Sequence, residues 1–132
     1  MIRLKGNERL FISEDLIGYS DELVKQGTVP RRVDFLFLGF GYAIKNELQP
    51  ADDYERHPLI STLSIDSKMM MPIEATAQWY AGKRGYPELT EESELLTLIC
   101  SIGIAGAREL QKRWAVRRKS QIQMDIMQML SQ

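Results

Sequence analysis

One cysteine and one histidine are all that this chain offers for thiol or imidazole chemistry. A lone Cys100 forms no internal disulfide, and its place in the apolar run "LLTLIC" marks a buried, inert thiol rather than a nucleophile. His57 stands just before Pro58 in the charged stretch "PADDYERHP", with no second histidine or cysteine at metal-ligand spacing. Serine and cysteine triads would both have to pass through that one imidazole, and no nucleophile motif accompanies it. Long apolar runs are missing too: none approaches the roughly 18 residues of a membrane span. The first residues show no basic-then-apolar leader. The expectation is a cytoplasmic protein without membrane contact, catalytic residues, metal or cofactor.

A strong charge of either sign is also lacking. With 17 basic and 18 acidic residues the chain has a net charge of −1, which argues against a protein held to nucleic acid by bulk attraction. The balance hides a local excess. In "RELQKRWAVRRKS", Arg108, Lys112, Arg113, Arg117, Arg118 and Lys119 face a single Glu109, a net +5 that leaves −6 for the remainder. Such a segment is either a solvated helix face or a sequence-neutral grip on phosphates. Trp79, Tyr80, Lys83, Arg84 and Tyr86 form a second basic and aromatic cluster suited to stacking on bases. The candidate nucleic-acid contacts are therefore those six cations together with Lys83 and Arg84.

What is present is helix. At 132 residues and 44% hydrophobic content the chain buries enough apolar surface for one domain. Residues 1–12 read as a short extended arm. Ser13, Glu14 and Asp15 open a first helix that Gly27 closes. "TVPRRVDFLFLGFGYAIKNEL" fits a helix over 31–48 better than a strand, and its Gly39 and Gly41 point to the close approach of a neighbour. "LISTLSIDS" is the one stretch that reads as a strand, and a single strand makes no sheet. "SKMMMPIEATAQWYAG" predicts a helix with Pro72 in its first turn and Gly82 at its end. The longest helix spans 91–119, with Leu95, Ile99, Ile102, Leu110 and Trp114 on one side and Gly103 and Gly106 marking tight packing. The predicted architecture is all-α: a compact single-domain bundle of four to five helices with a long C-terminal helix, residues 1–120 forming the domain and 121–132 an amphipathic extension.

In that last helix the apolar stripe jumps by half a turn. Arg108, Lys112 and Lys119 lie opposite the core side, and an uninterrupted helix would carry Ile122, Ile126, Met129 and Leu130 along that opposite side. Either the chain breaks near 118–120 and folds back, or the helix runs on and offers a new apolar face to another protein. The four apolar residues have the spacing of a groove-docking helix, and equally of a terminal helix completing a core.

One catalytic pattern merits comparison. "PAD" at 50–52 and "IDSK" at 65–68 echo the sparse carboxylate and lysine pattern of metal-dependent nucleases, with Asp52 and Asp66 as ion ligands and Lys68 orienting water. The alternative makes the acidic residues at 52 and 53 solvated and gives Asp66 and Ser67 to capping the next helix.

The stretches "VDFLFLGFGYAIKNEL" and "ELLTLICSIGIAGAREL" resemble a small bacterial family called DNA phosphorothioation-associated protein 4. The first is similar to that family's aromatic, glycine-containing helix, the second to its helix with an Ala/Gly pair before a Leu-rich end. The basic segment and the Met-rich end have no counterpart there. The resemblance implies a setting and no activity: an accessory protein beside larger ATPases or nucleases that handle DNA. The expected role is a non-catalytic subunit of a bacterial antiviral defence or DNA-processing complex. Ile122, Ile126, Met129 and Leu130 would dock on a larger protein or on a second copy of the chain, and the basic helix would touch DNA or RNA backbone. The alternatives are a free-standing, sequence-neutral DNA-binding protein and the small nuclease.

Overall fold

The centre of the molecule is a helix pair whose main chains nearly touch. In the computed structural model, which describes residues 2–131, α2 (Arg32–Lys45) crosses α4 (Glu92–Trp114) at Gly39, Gly103 and Gly106. A Cβ on Gly106 would overlap the Gly39 carbonyl, one on Gly39 would overlap that of Gly103, and one on Gly103 would run into Leu36. Only glycine fits at these three points, which answers why a helix interior tolerates residues that each cost about 1 kcal/mol of helix propensity. Around the crossing Leu36, Phe40 and Ala43 meet Leu95, Ile99, Ile102 and Leu110, all buried. The expected core side of α4 is therefore in the core. So too are Leu96, Cys100 and Ile104, because this helix is wrapped on several sides.

The all-α expectation is overturned by a two-stranded antiparallel sheet, which makes the fold mixed. β1 (Arg9–Ser13) pairs with β2 (Arg56–Ser61), with Phe11 opposite Pro58 and Ile12 opposite His57. The N-terminal arm is thus the partner that the single candidate strand lacked. It escaped detection because Leu10, Phe11 and Ile12 are all buried, so β1 shows no alternation of apolar and polar residues. Pro58 is tolerated because a two-stranded sheet leaves each strand with an unpaired edge. The Phe11 N–H is satisfied outside the ladder by Cys100 Sγ at 3.5 Å.

The remaining elements follow from local chemistry. α1 (Glu14–Lys25) starts after Ser13 and ends where Gly27 takes a φ of 74°, letting Thr28 N donate to Leu23 O at 2.8 Å. A short 3-10 turn (Thr62–Ser64) follows β2, and Asp66 then caps α3 (Ser67–Lys83) by accepting from Lys68 N at 2.9 Å. Pro72 lies in the second turn of α3 rather than the first, and Gly82 stays inside it. The left-handed residue that closes α3 is Gly85, with a φ of 73°. Buried Glu74 of α3 ties down the N-terminal arm, accepting from Leu4 N at 2.6 Å and from Arg3 Nε at 3.2 Å.

The expected long C-terminal helix also needs correction. α4 stops at Trp114, the chain turns through 115–118, and a separate α5 (Lys119–Leu130) begins. Nothing in Ala115 and Val116 forbids helix, so the break has to be stabilised from outside the turn. Arg118 N donates to Gln121 Oε1 at 2.8 Å at the new N-terminus, and Asp125 supplies the remaining hold. Met1 and Gln132, the end residues of the expected 1–120 domain and 121–132 extension, lie outside the described residues. No helix among those described is long and apolar enough to cross a membrane.

Candidate docking groove between α2 and α5

α5 is fastened by a charged residue inside an apolar stripe. Ile122, Asp125, Ile126 and Met129 recur at helical spacing on its inner side; Ile122 and Asp125 are buried, Ile126 and Met129 half-buried. Asp125 is only 5% exposed and accepts from Arg113 Nε at 2.7 Å, Arg113 Nη2 at 2.8 Å and Trp114 Nε1 at 2.7 Å. Arg117 Nη1 stands 3.9 Å away. A two-pronged guanidinium bond and a buried indole donor saturate the carboxylate, and the Arg113 bonds above all hold its pKa down to about 2. Trp114 relays the anchor inward. Its ring packs 6.2 Å from that of Phe35, which meets Tyr19 edge-on at 5.6 Å, so α5, α4, α2 and α1 are linked through one column of side chains.

The residues expected to dock are thereby divided. Ile122 is spent in the chain's own core, while Ile126 and Met129 pack against it in part. Leu130 is 73% exposed and shares the outer side of α5 with Met124 and Met127, which the sequence reading had not chosen. Beside them a groove of about 620 Å³ opens between α5 and α2. Phe37, Leu38, Gly41 and Tyr42 form its α2 wall, ending at Lys45 and Asn46. Met129 and Leu130 form the other wall, with Arg113 and Gln128 at the edge. Gly41 behaves unlike Gly39: nothing lies within 4 Å of where its Cβ would be. Its propensity cost of about 1 kcal/mol is matched by no contact within the chain.

Several cations of the basic segment have partners within the chain. Arg108 donates to Asp15 at 2.9 Å and 3.1 Å and to Asp53 Oδ1 at 2.9 Å, and its hydrogen bond keeps the Asp15 pKa below its ordinary value. Arg113 and Arg117 converge on Asp125, and Lys112 pairs with Glu109. Lys119 carries its ammonium over Gly27, beside the negative end of α1. Lys83 pairs with Glu47 and lies over the Trp79 ring, while Arg84 donates to Glu47 O and to Tyr80 Oη. Among the described residues neither the Arg118 guanidinium nor the Lys119 ammonium has an ion-pair partner.

Asp66 is committed to the start of α3, Asp52 is exposed in a loop, and His57 Nδ1 sits 3.0 Å from Glu14 Oε1. Burial pushes the Cys100 thiol up to about 12. Among the described residues no three histidine, cysteine or carboxylate side chains gather in a way that would hold a metal ion.

The sequence reading missed Gly41, Tyr42, Lys45, Met124 and Met127 as site residues. One usable signal was the spacing of Gly39 and Gly41, which puts them about 200° apart on a helix, so that one neighbour cannot account for both. No family model matches the chain, and neither a curated protein nor a solved structure was found to be similar to it.

Proposed function

We propose that the chain is a non-catalytic docking subunit, which receives part of a larger protein in the α2–α5 groove and on the Met-rich outer side of α5. The observation that carries this role is Met124, Met127 and Leu130, each more than 60% exposed, standing beside an open apolar groove on a helix that has already been folded back and anchored. Unbranched methionines suit a surface that must adapt to a partner. In this role the basic segment is a latch: Arg113 and Arg117 hold α5 through Asp125 and keep the groove's second wall in place.

The setting is drawn from the resemblance to DNA phosphorothioation-associated protein 4. It supports a cytoplasmic bacterial protein beside a larger ATPase or nuclease in an antiviral defence or DNA-processing assembly. Affinity co-purification from the native host, followed by reconstitution with the purified partner, tests the role. A chain carrying Met127→Glu and Leu130→Glu should unfold like the parent and lose the partner. A complex that forms equally well with the double variant would end the proposal.

A further inference from the structure

We infer that α5 is exchangeable: two copies of this chain trade their α5 helices, each helix filling in its neighbour the seat it fills in its own chain. The exchange is independent of the docking role. It begins at the turn 115–118, whose residues favour the helix that the turn denies them. Ala115 still has helical dihedrals, φ −54° and ψ −34°, and the path departs further on, with Arg118 extended at φ −75° and ψ 159°. From Ala115 to Lys119 there is neither glycine nor proline; alanine, arginine and lysine are strong helix formers, and only Val116 is β-branched. That valine is 95% exposed and gains no burial from the turn. Two helix ends in succession also leave amides and carbonyls without intrahelical partners. The turn recovers such bonds singly, Arg117 N to Trp114 O at 3.0 Å and Arg118 N to Gln121 Oε1 at 2.8 Å, where a continuous helix would satisfy the whole set.

The seat of α5 keeps the turn bent, and its chemistry identifies the occupant. Arg113 and Trp114 Nε1 converge on the Asp125 carboxylate at 2.7 and 2.8 Å, with buried Ile122 one turn before it. When α5 swings out and the turn straightens, a guanidinium and a buried indole donor lose their acceptor. A helix that refills the seat has to carry a carboxylate three residues after an isoleucine on one side, and α5 of a second copy does so by identity. Every contact of the closed seat is remade in the exchanged pair. The two states therefore differ at the hinge, in the charge gathered there and in the cost of association. Charge opposes the exchange: Arg117, Arg118 and Lys119 of both copies meet where the chains cross, and salt screens that repulsion. A tethered α5 acts at an effective concentration on the order of 1 mM, so a neighbour's α5 competes near that level.

Refolding the full chain from urea at about 1 mM in raised salt, followed by sedimentation, tests this. A dimer should appear that is absent after dilute refolding. Lys119→Pro is the decisive variant. Lys119 is the first residue of α5 and follows extended Arg118, a position that suits proline, whereas inside a fused helix proline breaks the hydrogen-bond ladder. The variant should keep its monomer folded by circular dichroism and lower the dimer about tenfold or more. Lys119→Ala loses the same charge and should keep the dimer. Met127→Glu, on the exposed outer side of α5, should leave the dimer intact as well. A chain that stays monomeric at this concentration overturns the exchange. A dimer that survives Lys119→Pro or dissolves on Met127→Glu also overturns it, since either is a pair formed side by side. No larger partner enters these measurements, so the docking role stands or falls separately.

Discussion

α2 and α4 meet through their main chains, whereas α5 is held to α4 by a single carboxylate and one buried isoleucine. At the first junction the contact is spread over Gly39, Gly103, Gly106 and a surrounding apolar core, and no larger residue fits the three glycine positions. At the second, specificity is concentrated in Asp125 and the donors around it, with Ile122 alone fully buried among its apolar residues. Dispersed packing and a concentrated polar anchor fail differently. Damage to the first should cost the whole fold, and damage to the second should release one helix while the remainder stays native.

The largest expected effect is at the crossing. Gly106→Ala places a Cβ on the Gly39 carbonyl and should destabilise the protein by more than about 3 kcal/mol, read by urea unfolding. Gly41→Ala, two residues from Gly39 on the same helix, should instead stabilise by about 1 kcal/mol. Equal effects at the two positions would show that the main-chain contact is not what specifies the core.

Asp125→Ala comes next. It strands Arg113 and the Trp114 Nε1 donor and should cost about 3 kcal/mol. Hydrogen exchange should show the amides of 119–130 losing protection while those of α2 and α4 keep theirs. Loss of protection in α4 to the same degree would erase the distinction between the two junctions.

Acid should reproduce the same release more gently. Because the Asp125 pKa is lowered from 3.8 to about 2 in the folded protein, its contribution is complete above pH 4 and disappears as pH falls through 2. The sum is at most about 2 kcal/mol, reduced by water around Arg113, whose side chain is 42% exposed. With Trp79 replaced by Phe, Trp114 emission should follow a transition in that window, and Asp125→Asn should remove it. A transition unchanged in that variant would place the titrating group elsewhere.

Much of the helical core was legible beforehand. Leu95, Ile99, Ile102, Leu110 and Trp114 recur at helical spacing, and they line the core because a helix turns each of them to one side wherever it packs. The close approach at Gly39, Gly103 and Gly106 was readable for a related reason, since glycine in a helix interior has a cost that a contact usually explains. β1 was not legible, because burial on both faces removes the alternation that identifies a strand. The fold-back of α5 stayed one of two open readings: Ala115 and Val116 permit helix, and an aspartate within a stripe of Ile and Met reads as its solvent side. Of the groove, Met129 and Leu130 were chosen from the sequence as docking residues, and Arg113 only as a nucleic-acid contact.

By itself the chain's order of residues determined where α1, α2 and α3 lie and where α4 begins, where glycine closes α1, and which residues of α4 face the core. These are properties of neighbours within a few positions, governed by a repeat of 3.6 residues and by local caps. Only the tertiary structure decided that the arm at 9–13 pairs with a strand some 45 residues later, that Asp125 turns inward to Arg113, and that Gly41 is left uncovered. Those outcomes depend on partners far along the chain, and the free energy of a long-range contact cannot be read from either partner alone.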